Sequence, residues 1–265
     1  MEHFIWNINP IAIELGSLKV RWYGLFFISA FMIGQLLLIW MFKREKKDTT
    51  LVKKFVLYLM IGTLIGARLA HCFFYQPEYY LAHPIEILFI GKGGLASHGG
   101  MLGVILAAYI FALEHKFSFF WLIARLTIPG TVVATFVRFG NFFNSEILGI
   151  PTQHSWGIIF QKVDLIPRHP VQLYEAFASS MLLILLISVY KNSSEKFATR
   201  VLPGIFFFTL FLSRFFIEYF KTKQADYTLS TPILTGQLLS IPFIVIGLLW
   251  IVWAYRTSAK DEYTY

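Results

Sequence analysis

Seven apolar stretches dominate this chain: residues 20–42, 53–75, 94–114, 118–141, 171–190, 201–220 and 233–255. Hydrocarbon about 30 Å thick needs about twenty helical residues to cross it. A segment in lipid must satisfy its own backbone, so only helices and closed barrels can span. The strict alternation of a barrel strand is absent from these stretches. The expected class is therefore all-α: a polytopic membrane protein with seven transmembrane helices and one integral-membrane domain over residues 1–265. Composition agrees, with 57% hydrophobic and only 14% charged residues, whereas soluble domains run near about 25% charged.

The net charge is +8. In a soluble protein that would favour nucleic acid. Here the cations sit in loops beside spans, as the positive-inside rule requires, so no nucleic-acid partner is expected. One side holds twelve: Lys43, Arg44, Lys46, Lys47, Lys53, Lys54, Lys116, Lys191, Lys196, Arg200, Arg256 and Lys260. The other holds seven in longer segments: Lys19, Arg21, Lys92, Lys162, Arg168, Lys221 and Lys223. This places the N-terminus outside and the C-terminus in the cytoplasm. Two outer loops, 76–93 and 142–170, exceed what a connection needs. The start Met1-Glu2-His3 lacks the basic region of a cleaved signal peptide. The one cysteine, Cys72, excludes an intrachain disulfide and reads as small core filler among phenylalanines.

Charges near membrane depth are costly and usually face a bundle interior or a wet cavity. The segment Arg138-Phe139-Gly140-Asn141-Phe142-Phe143-Asn144-Ser145-Glu146-Ile147-Leu148-Gly149 packs one cation, two amides and one carboxylate into the end of an apolar span. With the orientation above, Tyr23, Arg68, His71, His98, Arg138, Asn141 and Arg214 fall at one level in the outer third of the bilayer. Each has a plain reading. Tyr23 suits an interfacial aromatic belt, and His98 a core histidine among close-packing glycines. Arg214 and Glu218 stand at i,i+4 and suit an ion pair, and Arg68 suits snorkelling. Gly62 with Gly66 and Gly99 with Gly103 read as helix contacts. Arg125, at the inner end of its span, is expected to snorkel toward the cytoplasm. Co-location favours function: arginines with few balancing anions suggest an anionic ligand, and the guanidinium fork suits phosphate. A phosphate at that depth is that of a phospholipid headgroup. A transporter would bury arginines too, but would show repeated halves. An intramembrane protease is suggested by Ser97 and His98, although adjacent residues are poorly placed as nucleophile and base.

The chain resembles the prolipoprotein diacylglyceryl transferase family over nearly its whole length. The resemblance rests on Arg138-x-Gly140-Asn141-Phe142-x-Asn144-x-Glu146-x-x-Gly149. Further blocks are Arg21-x-Tyr23-Gly24, Gly94-Leu95-Ala96-Ser97-His98-Gly99-Gly100, Arg168-His169-Pro170-Val171-Gln172-Leu173-Tyr174-Glu175 and Ser213-Arg214-Phe215-x-Ile217-Glu218. Thr235-Gly236-Gln237-Leu238-Leu239-Ser240 is a weaker one. Val137 stands where the family usually has glycine, which bears on local packing. The resemblance implies transfer of the diacylglyceryl group of phosphatidylglycerol to the lipobox cysteine thiol of a prolipoprotein, with release of glycerol 1-phosphate. It implies a bacterial plasma (inner) membrane location, a site facing the outer leaflet, and substrates rather than a cofactor or metal. By resemblance and depth, Arg138 and Arg214 hold the phosphate with Asn141, and Glu146 and Glu218 orient arginines or lipid hydroxyls. Tyr23 contacts headgroup or thiol, and Gly149 and Gly140 allow close backbone approach. His98 is the candidate base, an ordering role remaining open.

Overall fold

The computed structural model describes residues 3–16, 18–89, 93–222 and 234–262. Lys92 and Lys223, two of the cations expected outside, lie beyond the described residues. Among the described residues seven helices are long and apolar enough to cross a membrane: Trp22–Arg44, Leu51–Tyr75, Ser97–His115, Phe119–Phe143, Val171–Asn192, Glu195–Phe220 and Thr235–Ala259. They coincide with the seven apolar stretches, each edge moving by a few residues, as expected where length is set by hydrocarbon thickness. The helices are α1 (Trp22–Arg44), α2 (Leu51–Ala70), a short α3 (Pro77–Ala82), α4 (Ser97–His115), α5 (Phe119–Phe143), α6 (Val171–Asn192), α7 (Glu195–Ile217) and α8 (Thr235–Glu262).

The chain divides into two compact units, residues 38–125 and residues 1–37 with 126–265. Within 38–125, α2 and α4 pack glycine to glycine. A Cβ at Gly103 would collide with the backbone oxygen of Gly62, and one at Gly66 with that of Gly99. The small-residue pairs are thus helix contacts, as expected, and the close approach replaces the hydrophobic drive that lipid does not supply.

Two arginines of this unit overturn their expected roles. Arg125 does not snorkel: it is fully buried, pairs with Glu45 at 2.6 Å and lies 4.9 Å from the Trp121 ring centre. A buried cation keeps its charge only when paired and hydrogen-bonded, and Glu45, eighty positions away, supplies both. Arg68 does not snorkel either, nor is it free for a headgroup. Its Nε donates to Ile87 O (2.9 Å), Nη1 to Gly93 O (2.6 Å) and Nη2 to Glu86 O (2.6 Å). Longer bonds reach Gly94 O and Phe89 O. The guanidinium thus ties the carbonyls of Glu86, Ile87 and Gly93 to the end of α2. Ala96 N–H donates to Ala67 O at 2.9 Å and finishes this seam just before α4 begins. Cys72 is buried in a π-helical turn, His71–Tyr75, that extends α2.

In the other unit α7 and α8 form the closest pair, Phe211 stacking on Phe243 at 4.3 Å, with Gly204 and Gly247 admitting Ile251 and Phe208. α6 packs on α7. Among the described residues five short strands lie outside the spans, which the sequence reading did not contain. β2 (Ile11–Leu15) and β3 (Leu18–Arg21) form a hairpin that runs directly into α1. β1 (Phe4–Trp6) pairs parallel with β4 (Ile158–Phe160), which pairs antiparallel with β5 (Pro167–Arg168). Trp6, Phe142, Phe143, Ile158, Phe160, Leu148 and Leu173 make an apolar cluster under this sheet. It anchors the end of α5 and the loop that follows.

The glycine seam makes a quantitative statement. Gly103→Ala places a methyl against backbone that cannot yield, so it should cost about 1–3 kcal/mol. Thermal unfolding of the purified protein in detergent measures the loss.

Candidate functional site

The end of α5 carries the first half of the site. Arg138 and Asn141 stand at i,i+3 and share a helical face. Arg138 Nη1 donates to Asn141 Oδ1 at 3.2 Å, and Asn141 Nδ2 to Glu146 Oε2 at 3.2 Å. Asn144 Nδ2 donates to the other oxygen of Glu146 at 3.0 Å. Glu146 therefore reaches Arg138 through Asn141. Its place in the turn is held under strain: Ser145 and Ile147, on either side of it, have φ of 54° and 56°. A β-branched residue in the left-handed region is uncommon and persists only where surroundings over-determine it. Here Gln172 Nε2 donates to Glu146 O at 2.6 Å, and Thr222 donates through both N and Oγ1 to Leu148 O.

The second half comes from α6 and the end of α7. Glu175 stands one turn beyond Gln172 on α6 and is 7% exposed. Its Oε2 lies 3.0 Å from Arg138 Nε. Among the described residues no hydrogen bond satisfies that oxygen. Its Oε1 accepts from Lys221 Nζ at 2.8 Å. Lys221, also 7% exposed, lies 3.3 Å from Glu218 Oε2. Glu218 sits in the 3-10 turn Glu218–Phe220 closing α7, and its carboxylate fills the space above Gly236 in the first turn of α8. A carboxylate there gains from the helix dipole.

Seven expected site residues belong to this unit: Tyr23, Arg138, Asn141, Glu146, Gly149, Arg214 and Glu218. Tyr23 packs on Gly140, where a Cβ would come within 2.7 Å of the ring. A Cβ at Gly149 would strike the backbone oxygen of His169, so that space is held by the protein. Ile150 N donates to Phe220 O at 2.8 Å and binds the loop to the end of α7. Arg214 is half-buried and does not pair with Glu218, which faces Lys221; among the described residues nothing pairs with Arg214. His98 belongs to the other unit, in the first turn of α4, exposed and without a hydrogen-bond partner among the described residues.

The expectation of few balancing anions is therefore corrected for Arg138. Sequence reasoning missed Glu175, Lys221 and Gln172. The α6 spacing carried a signal, since Gln172 and Glu175 at i,i+3 share one face; nothing local linked Lys221 to Glu175.

The loop between α5 and α6 holds an aromatic group. His154 stacks on Trp156 at 4.3 Å, and Trp156 Nε1 donates to Tyr174 Oη at 3.0 Å. That oxygen lies 3.1 Å from His169 Nδ1. Burial first, then the nearby His154, pushes the His169 imidazole below its ordinary value. Arg168 pairs with Asp164 at 2.5 Å and holds that carboxyl below the usual range.

These observations define a multi-pass helical membrane protein with a buried ionic network at one end of its spans. Comparison with known proteins gives the family. The sequence matches the family described as prolipoprotein diacylglyceryl transferase over residues 10–253. It is 45% identical over 256 residues to the phosphatidylglycerol–prolipoprotein diacylglyceryl transferase of Tolumonas auensis, covering 96% of this chain and 99% of that protein. To its namesake in Chloroherpeton thalassium it is 44% identical over 262 residues, 98% of each. To that of Bacteroides fragilis it is 36% identical over 255 residues, 92% of each. The chain belongs to the prolipoprotein diacylglyceryl transferase family.

Two outcomes follow from this geometry. Gly236→Ala should displace the Glu218 carboxylate, the flexible partner in the clash, and leave the fold intact. Catalytic efficiency should then fall about tenfold or more with an unchanged unfolding midpoint, because misplaced site groups cost rate. A depressed His169 contributes stability that is full above the unfolded imidazole value and lost as pH falls through it. The unfolding midpoint should therefore drop as pH falls below about 6.5, the ordinary imidazole value, and His169→Gln should flatten that slope.

Proposed function

We propose that this protein transfers the diacylglyceryl group of phosphatidylglycerol to the cysteine thiol of a prolipoprotein lipobox, at the outer leaflet of a bacterial plasma membrane. In this reading the N-terminus lies outside and the C-terminus in the cytoplasm, as the loop charges favour. Phosphatidylglycerol and the prolipoprotein are both substrates, and no cofactor takes part. The observation that carries the reading, beside family membership, is Arg214. A half-buried guanidinium with no partner among the described residues, one turn from Glu218, has its full fork available for phosphate.

The reaction is a displacement at the terminal glyceryl carbon. The thiolate sulfur forms the new C–S bond, the bond from that carbon to the phosphate ester oxygen breaks, and glycerol 1-phosphate leaves with the electron pair. Arg214 and Arg138, with Asn141, stabilise the developing phosphate charge. Donors already oriented in a water-poor site need no reorganisation as that charge grows. Glu146 keeps Asn141 aligned, and Glu218 accepts from the lipid hydroxyls. Tyr23 contacts the headgroup. His98 takes the thiol proton; its imidazole has no hydrogen-bond partner among the described residues to compete for it.

Purified protein, phosphatidylglycerol and a lipobox peptide provide the test, with mass spectrometry for a diacylglyceryl thioether. The product should form, and Arg214→Ala should lower kcat/KM by roughly 100-fold or more, as for loss of one oxyanion donor. A peptide left unmodified by the folded wild-type protein would refute the reading.

A further inference from the structure

We infer that Lys221 keeps the Arg138 guanidinium open to its anionic ligand by competing for the carboxylate of Glu175. The inference rests on the transferase reading above and adds a positioning residue to it. Lys221, Glu175 and Arg138 form a row of alternating charge, the first two buried and Arg138 half-buried. An arginine facing a free carboxylate settles into paired, parallel N–H···O bonds, the stronger geometry. Arg138 and Glu175 do not. Lys221 takes Oε1 in a 2.8 Å hydrogen bond, and only Oε2 is left near Arg138. That contact is made to Nε, 3.0 Å away, and Oε2 has no hydrogen bond among the described residues. Nη1 donates sideways to Asn141, and Nη2 has no partner among the described residues. The outer edge of the fork is thus left for a ligand, while the ion pair still fixes where the guanidinium stands.

A merely structural lysine would tie the end of α7 to α6. The backbone already holds that segment. Ile150 N donates to Phe220 O and Thr222 N to Leu148 O, and an isolated antiparallel bridge joins Gly149 to Lys221. The ammonium is therefore not needed to place the turn. Removing it would free both Glu175 oxygens to close on Arg138, and the internal carboxylate would then compete with the lipid phosphate.

The test is a double-mutant comparison in the full-length protein, with transfer rates measured against phosphatidylglycerol concentration. Lys221→Met should raise the KM for phosphatidylglycerol by about tenfold, with a smaller change in kcat, as expected for coupled neighbours. Lys221→Arg should recover most of the affinity. Adding Glu175→Gln to Lys221→Met should bring KM back to within about threefold of wild type, because the competing charge is gone. If Lys221→Met does not fold, Lys221→Gln with and without Glu175→Gln makes the same comparison. A double variant as weak as the single one, with active wild type, overturns this inference alone. An inactive wild type overturns the transferase reading and the inference with it.

Discussion

The sharing of the Glu175 carboxylate between two cations links the charges of the site. A buried carboxylate is tolerable when cations share it, and two do: Lys221 on one oxygen and Arg138 beside the other. The sharing settles the rest. It fixes Arg138 near Asn141, through Asn141 it reaches Glu146, and through Lys221 it reaches Glu218. Removing Lys221 or Glu175 alone would leave a buried charge uncompensated, which is costlier than the pair is stabilising. The network is thus built for placement more than for stability.

The same constraint recurs in the other unit with different partners. Arg125 is neutralised by Glu45, and Arg68 donates its N–H groups to the backbone carbonyls of Glu86, Ile87 and Gly93. Of the arginines in the seven spans, these two are structural, although depth alone gave Arg68 the same standing as Arg138. Arg214 differs from Arg68, Arg125 and Arg138 in having no protein partner among the described residues, and its proposed role in ligand binding rests on that difference. The strained backbone at Ser145 and Ile147 belongs to the same pattern, since strain persists where neighbours hold it, and Gln172 and Thr222 hold this turn.

Most of the fold was legible because each signal was local and strong. Span positions followed from runs of apolar residues, and the glycine pairs of α2 and α4 from their four-residue spacing. The short strands escaped because three to five residues with weak alternation carry little information. In the site, the α5 residues were legible from their spacing on one helix. Glu175 was quoted within a motif yet given no role, and Lys221 was counted only as a loop cation.

By itself the sequence determined the class, the seven spans and the family, because hydrocarbon thickness and chain-local motifs leave few alternatives. Only the tertiary structure decided which charge meets which. Lys221 and Glu175 are 46 positions apart, and Arg125 and Glu45 are 80. No local periodicity encodes such pairs; helix packing brings them within 3 Å, and the low dielectric then makes each pairing obligatory.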